Sequence, residues 1–237
     1  MNENKLSKRL ERVASFVPNG SSLADIGSDH AYLPCYLCIE GKITKAIAGE
    51  VNEGPFQSAK SQVEKSGLSN KITVRKGDGL EVVSPGEIDV VTICGMGGAL
   101  ITDILDAGIK KLEGVSTLIL QPNVGADKIR RWLRRHQWEL VEEEILEEDD
   151  KVYEILVAQN GNGDTPYTND DEIELLLGPF LMKQKNQAFI KKWKSELVSW
   201  NLILAQFDQA KQTKEVIQKR DDLQRKINEV EEVLADE

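Results

Sequence analysis

Apolar positions along this chain follow two different periods, and the change of period divides it. Leu6, Leu10, Val13, Ala14 and Val17 recur at helical spacing, and Pro18-Asn19-Gly20 ends that helix. Short apolar runs then alternate with helical stretches. Leu23–Ile26, Ala46–Glu50, Ile72–Arg75, Ile88–Cys94 and Thr117–Gln121 read as strands. Tyr32–Ile39 reads as a helix, with Pro34 acceptable only in its first turn. Phe56, Ala59 and Val63 mark a second helix that stops at Gly67, and Leu100–Leu112 and Asp127–His136 complete the set. Strands alternating with helices imply right-handed crossovers and a parallel sheet. Leu140–Leu146 and Val152–Ala158 have no helix between them, only the turn Glu147–Lys151, so they are expected to pair antiparallel. The predicted fold class is α/β: a Rossmann-like, mostly parallel seven-stranded sheet with an antiparallel pair at one edge.

The pattern changes after residue 160. Gln159–Pro166 is a linker by composition. Beyond it, Phe189, Trp193, Leu197, Trp200, Leu204 and Phe207 repeat at intervals of four and three, and Val216, Leu223, Ile227, Val230 and Leu234 do so after a break near Thr213. Two such stripes predict an antiparallel helical hairpin or coiled coil. The expected division is a cofactor-binding domain over residues 1–160 and a helical domain over 161–237.

Composition narrows the class. The chain has 237 residues, 40% hydrophobic and 30% charged, which suits one globular domain with an appendage. No apolar run reaches membrane-spanning length, and the N-terminus lacks the order of a signal peptide, so a soluble cytoplasmic protein with no membrane partner is expected. Cys35 and Cys38 form a C-x-x-C, readable as a redox pair or half a metal site, or as two buried residues one turn apart. The second reading is favoured, because there is no second C-x-x-C and the histidines are His30 and His136; no metal is expected. The net charge of −10 would discourage a nucleic-acid partner, but the signs are segregated. Lys128, Arg130, Arg131, Arg134 and Arg135 fall within eight residues, and an acidic run follows from Glu142 to Asp150. Lys5, Lys8, Arg9 and Arg12 form a basic N-terminal segment, and Lys183, Lys185, Lys191, Lys192 and Lys194 a third cluster.

Candidate chemistry lies at the carboxyl ends of the predicted strands, where open parallel sheets bind ligands. Strand one ends in Asp25 and Gly27, followed by Ser28, Asp29 and His30. Asp29 stands where a dinucleotide fingerprint has its second glycine, and a carboxylate there opposes a pyrophosphate. It suits a cofactor bearing an ammonium and a sulfonium, such as S-adenosyl-L-methionine. Strand two ends in Glu50, followed by Val51, at the right distance to accept from ribose hydroxyls. Strand three ends in Asp78 and Gly79, and a carboxylate there can accept from an adenine amino group. Strand four leads into Gly95-Met96-Gly97-Gly98, where glycine lets the backbone approach a ligand closely.

The segments Asp25-Ile-Gly-Ser-Asp-His-Ala-Tyr-Leu-Pro34, Gly49-Glu50-Val-Asn-Glu-Gly-Pro55, Gly77-Asp78-Gly79-Leu80 and Ile93-Cys-Gly-Met-Gly-Gly98 together resemble the bacterial TrmK family. The resemblance spans residues 5 to 160, and the helical appendage also fits. It implies a Rossmann-like catalytic domain with a coiled-coil C-terminal domain, using S-adenosyl-L-methionine to methylate N1 of adenine 22 in tRNA. On this reading Asp29 stabilises charge in the reaction, and Tyr32 and Asn123 hold the target base. Lys5, Lys8, Arg9, Lys128, Arg130, Arg131, Arg134 and Arg135 contact tRNA phosphates, and the protein acts as a monomer or homodimer. The Asn/Asp-Pro-Pro-aromatic motif of exocyclic amine methyltransferases is absent after strand four, which favours N1 over N6. Three alternatives stay open: a methyltransferase acting on another RNA, a protein or a small molecule; a non-catalytic adaptor working through its coiled coil; and an NAD dehydrogenase, which Asp29 and Asp78 weaken.

Overall fold

The computed structural model describes residues 2–168, 171–211 and 213–235. Residues 236 and 237, at the end of the predicted helical domain, lie outside that range. The chain runs α1 (Lys8–Phe16), β1 (Ser21–Ile26), α2 (Tyr32–Ile39), β2 (Ile43–Glu50), α3 (Glu53–Lys65), β3 (Ile72–Lys76), β4 (Val90–Gly97), α4 (Gly98–Ala107), β5 (Thr117–Val124), α5 (Ala126–Arg135), β6 (Trp138–Glu148) and β7 (Lys151–Asn160). Four further helices follow: α6 (Asp171–Leu177), α7 (Leu181–Gln184), α8 (Gln187–Gln209) and α9 (Lys214–Ala235).

The strands form one seven-stranded sheet in the order β3-β2-β1-β4-β5-β7-β6. β1 to β5 are parallel, and β7 runs antiparallel to both β5 and β6. The order reverses between β1 and β4, which opens a crevice at the carboxyl ends of those strands. All six residues of β1 are buried because helices cover both faces. Ala24 and Ile26 pack with Ile101, Leu105 and Ile129 of α4 and α5, whereas Leu23 packs with Val13, Leu37 and Val63 of α1, α2 and α3. The β6–β7 turn is tighter than the sequence suggested. It is made by Asp149 and Asp150, both left-handed with φ of 50° and 61°, the backbone twist a two-residue hairpin needs.

Three elements depart from the sequence reading. β4 does not stop at Cys94: it continues through a bulge to Gly97, pairing Met96 with Pro122 and Gly97 with Val124 of a correspondingly longer β5. The predicted helix to Leu112 ends instead at Ala107, and Ile109–Leu112 forms a separate 3-10 turn. The Gln159–Pro166 segment is no free linker. Asp164 pairs with Arg134 at 2.6 Å, and a side chain at Gly163 would collide with the Arg134 backbone at 2.5 Å.

The helical part packs where α7 and α8 meet β6, with α9 lying on α8 and α6. Ile145, Leu177, Leu181, Phe189, Trp193 and Val230 form its core. Of the predicted stripe, Phe189, Trp193, Ile227 and Val230 are buried and Leu197, Trp200, Leu204, Val216 and Leu223 are half-buried, while Val198, Leu202 and Ile217 beside it are exposed. At the junction Arg130 is fully buried, and its guanidinium pairs with Glu143 at 2.6 Å and with Glu154. It also donates to the carbonyls of Leu175 and Leu176 in α6, and Lys192 of α8 joins Glu154. This corrects the expectation that Arg130 contacts tRNA: the side chain has no solvent-facing surface and its charge is neutralised inside the protein.

Candidate active site

The turn after β1 is fixed by its backbone. Gly27 N–H and Ser28 N–H both donate to the Gly49 carbonyl at the end of β2, at 3.0 and 3.2 Å. Gly27 has φ +70°, a left-handed backbone that favours glycine, and a Cβ there would push the Met96 methyl, 2.2 Å away, out of its place. Asp29 (φ +52°) adopts the left-handed conformation usually reserved for glycine, which a short polar residue tolerates best. Its N–H donates to the Glu50 carboxylate. The residue that seemed to spoil a dinucleotide fingerprint therefore supplies the same backbone shape with an added negative charge.

Three carboxylates follow the rim of adjacent strands. Asp25 is buried, accepting from Thr92 Oγ1 at 2.7 Å and from Ser28 Oγ. Burial pushes its pKa up, and those two hydrogen bonds pull against that rise. Glu50 is 6% exposed, with one oxygen held by Asp29 N–H. Its pKa is also raised, by burial first, with the charges of Asp29 and Asp25 adding to the effect and the Asp29 N–H opposing it. Asp78 closes β3 with its side chain exposed, and its own N–H donates to Glu81 at 3.2 Å.

These residues line two adjoining hollows. The first, about 370 Å³, is bounded by Gly27, Glu50, Val51, Asp78 and Gly79, with Met96 and Ile104 as apolar walls. The second, about 290 Å³, is bounded by Arg9, Asp25, Ser28, Tyr32 and Gly95. Gly27, Asp29 and Met96 line both. One long ligand can thus lie with a polar ring near Asp78, a diol near Glu50 and a cationic end near Asp25 and Asp29. The shape and charge fit an adenosyl amino-acid cofactor.

The residues expected to hold a substrate base gather beside the second hollow. Tyr32 lines it and stacks on His30, with ring centroids 5.1 Å apart and an interplanar angle of 18°. Asn123 lies at the exposed end of β5 and donates to the Gly95 carbonyl at 2.7 Å. Four contributors escaped the sequence reading of the cofactor pocket: Arg9, Thr92, Met96 and Gln121. Gln121 is fully buried, and its Oε1 accepts from Gly95 N–H at 3.0 Å and from Arg9. A polar residue at the end of an otherwise apolar strand was the available signal, since such a group must find partners when buried.

The remaining basic candidates stay outside the hollows. Lys5, Lys8, Lys128 and Arg135 are exposed. Arg131 and Arg134 form surface pairs with Glu172 at 2.7 Å and Asp164 at 2.6 Å, pairs weak enough to exchange for phosphate. Cys35 and Cys38 are buried in α2, and burial pushes the Cys35 thiol up to about 11, the behaviour of core residues. Among the described residues no cluster of three or more metal-ligating side chains occurs.

The family model described as tRNA (adenine(22)-N(1))-methyltransferase, TrmK, matches residues 23–232. The tRNA (adenine(22)-N(1))-methyltransferase of Bacillus subtilis strain 168 is 54% identical over 238 residues, covering 99% of each chain. The crystal structure of the Bacillus subtilis tRNA methyltransferase TrmK superposes with a TM-score of 0.94 at 52% identity, over 98% of this chain and 99% of that one. A Streptococcus pneumoniae protein crystallised with S-adenosyl-L-methionine, Sp1610, superposes with a TM-score of 0.86 at 44% identity, over 97% and 100%.

Proposed function

This chain belongs to the TrmK family of tRNA (adenine(22)-N(1))-methyltransferases, and from that premise we propose how its residues carry the family's reaction. The protein is a methyltransferase that uses S-adenosyl-L-methionine to methylate N1 of adenine 22 in tRNA. The observation that carries this reading is the paired hollow along β1, β2 and β3, with acids at three successive strand ends and a stacked aromatic pair at its mouth. Glu50 accepts from the ribose hydroxyls with the oxygen that Asp29 N–H leaves free, and Asp78 accepts from the adenine amino group. Gly27 and Gly95 let the backbone close on the cofactor without a Cβ in the way, and Ser28, Val51 and Gly79 complete its walls.

When bound, S-adenosyl-L-methionine supplies an electrophilic methyl group. Adenine in folded tRNA must be unstacked before its N1 can reach that methyl. Tyr32, backed by His30, offers the extruded base a stacking face, and Asn123 offers its carbonyl oxygen to the exocyclic amine. N1 is unprotonated near neutrality, so attack needs no general base. Positive charge grows on the ring, and the exposed Asp29 carboxylate stabilises it. Lys5, Lys8, Lys128, Arg131, Arg134 and Arg135 bind the tRNA backbone.

The decisive assay incubates the protein with an unmodified tRNA transcript and labelled cofactor, followed by nucleoside analysis. The expected product is 1-methyladenosine, lost when adenine 22 of the transcript is replaced by guanine. Label found in N6-methyladenosine instead, or on protein alone, rejects the reaction.

A further inference from the structure

The basic residues of α1 have separate fates. Arg12 is neutralised by Glu144, which its guanidinium meets through Nε at 2.7 Å and through Nη2. Arg9, one turn earlier, has no carboxylate within pairing distance among the described residues, although it is only partly exposed. It gives one of its five N–H groups to Gln121 Oε1 and rests its guanidinium 5.1 Å from the centre of the Tyr153 ring. The others are left for the hollow that it lines with Asp25, Ser28, Tyr32 and Gly95. Asp25 does not neutralise it by contact, because both Asp25 oxygens are taken by Thr92 and Ser28.

The position is built rather than accidental. Ser7 caps α1 through Leu10 N–H, and the Glu148 carboxylate accepts from Lys8 N–H at 2.5 Å and Arg9 N–H at 3.4 Å. Gln121, which holds the guanidinium, is itself fixed by Gly95 N–H and by its own donation to the Pro122 carbonyl at 2.8 Å. A guanidinium is always charged, and a partly desolvated charge without a counter-charge is costly. It would also oppose the positive charge that develops on the target adenine. Both difficulties disappear if an oxyanion meets Arg9 in the reacting complex.

We propose that Arg9 is an oxyanion anchor of the acceptor-side hollow, taking either the α-carboxylate of the cofactor or the phosphate of the target nucleotide. The inference rests on the methyltransferase reading and names a subsite within it. Arg9 is a positioning residue on this view: it fixes one reactant by its anionic end, with Gln121 transmitting that position to Gly95.

Arg9→Ala separates the two sources. If the anion is the carboxylate, calorimetry gives at least a tenfold loss of affinity for S-adenosylhomocysteine. The decarboxylated analogue then binds as it does to the wild type, and the salt dependence of tRNA binding is unchanged. If the anion is the phosphate, both nucleosides bind as before, KM for tRNA rises and the salt slope falls by about one unit. A methylphosphonate 5′ to adenine 22 then reproduces the loss in the wild type and adds nothing in the variant. The proposal is overturned if Arg9→Ala moves none of these quantities. It is also overturned if S-adenosylhomocysteine and its decarboxylated analogue weaken alike, which would make Arg9 a wall of the cavity only. Should Arg9→Ala not fold, Arg9→Lys serves: it keeps the charge but not the forked geometry, and wild-type values in every arm reject the anchor. A wild-type protein that forms no 1-methyladenosine would fail the functional reading itself, a result separate from all of these.

Discussion

Glu50 shows the tension between stability and binding at a single side chain. Its burial raises the folded-state pKa, so the ionised form is unfavourable in the free protein. Between the unfolded and folded pKa values the folded protein binds more protons, and stability falls as pH rises through that window. Glu50→Gln is therefore expected to raise the melting temperature at neutral pH, with the gain fading below the ordinary carboxylate range. The same change should weaken S-adenosylhomocysteine binding by about tenfold, since hydrogen bonds to charged groups are worth ~1.5–3 kcal/mol. Wild-type affinity should fall on acidification from a pH above the usual carboxylate range, and that slope should flatten in the variant. Calorimetry and thermal scans across pH check both signs. Asp78→Ala separates the two effects: with its side chain exposed it should lose about tenfold in cofactor affinity and leave the melting temperature unchanged. Asp25, Glu50, Asp78 and Gly95 were legible because a carboxylate or glycine at the end of a parallel strand has few purposes other than a turn or a ligand. Arg9 was legible only as a cation. Its place over Gln121 depends on how α1 crosses the ends of β5, β6 and β7, a long-range packing fact that no local pattern carries.

At the scale of elements, α5 and β6 show where pattern reading fails. Five cations in eight residues look like one basic face, but the helix buries Arg130 together with Ala126, Ile129, Trp132 and Leu133 and keeps the other four cations outward. The partner acid was hidden by a bulge. Trp138 and Leu140 point to the α5 side, the register then shifts between Leu140 and Glu142, and Glu143 and Ile145 take over that face. Strict alternation would have put Glu143 on the opposite face, beside Val141 and away from Arg130. The strands and helices themselves were readable because burial on both sheet faces leaves continuous apolar runs, while α6 and α7 are too short to show a period. Reversing Arg131, Arg134 and Arg135 to Glu should raise KM for tRNA at least tenfold and leave S-adenosylhomocysteine affinity intact. Filter binding across salt concentrations checks this, and an unchanged tRNA affinity would remove the outer face of α5 from the interface.

For the molecule as a whole, we propose that residues 1–160 and 161–237 are the cofactor-binding and helical units. They share one buried ionic junction. Arg130 from α5, Glu143 from β6, Glu154 from β7 and Lys192 from α8 meet there, and Glu143 also accepts from Phe180 N–H at 3.1 Å. Gly178 is packed so closely that a Cβ would lie 2.6 Å from Arg130 Nη2, so the junction has no slack. Removing one member of such a cluster strands the others' charges in the interior, at ~3–5 kcal/mol. Arg130→Ala should accordingly lower the melting temperature by several degrees or more. The cofactor residues sit at the ends of β1 to β4, whereas the junction sits on β6 and β7 across the sheet. Protein that remains folded should thus bind S-adenosylhomocysteine with near wild-type affinity. The helical pair, no longer held against the sheet, should cost tRNA methylation instead. The contrast with the outer-face reversal is the test: those variants lose only the surface pairs to Glu172 and Asp164 and shift the melting temperature slightly, whereas Arg130→Ala lowers it far more. A stable Arg130→Ala protein with weakened tRNA binding would return Arg130 to the RNA-contacting surface and break the proposed coupling between the two units.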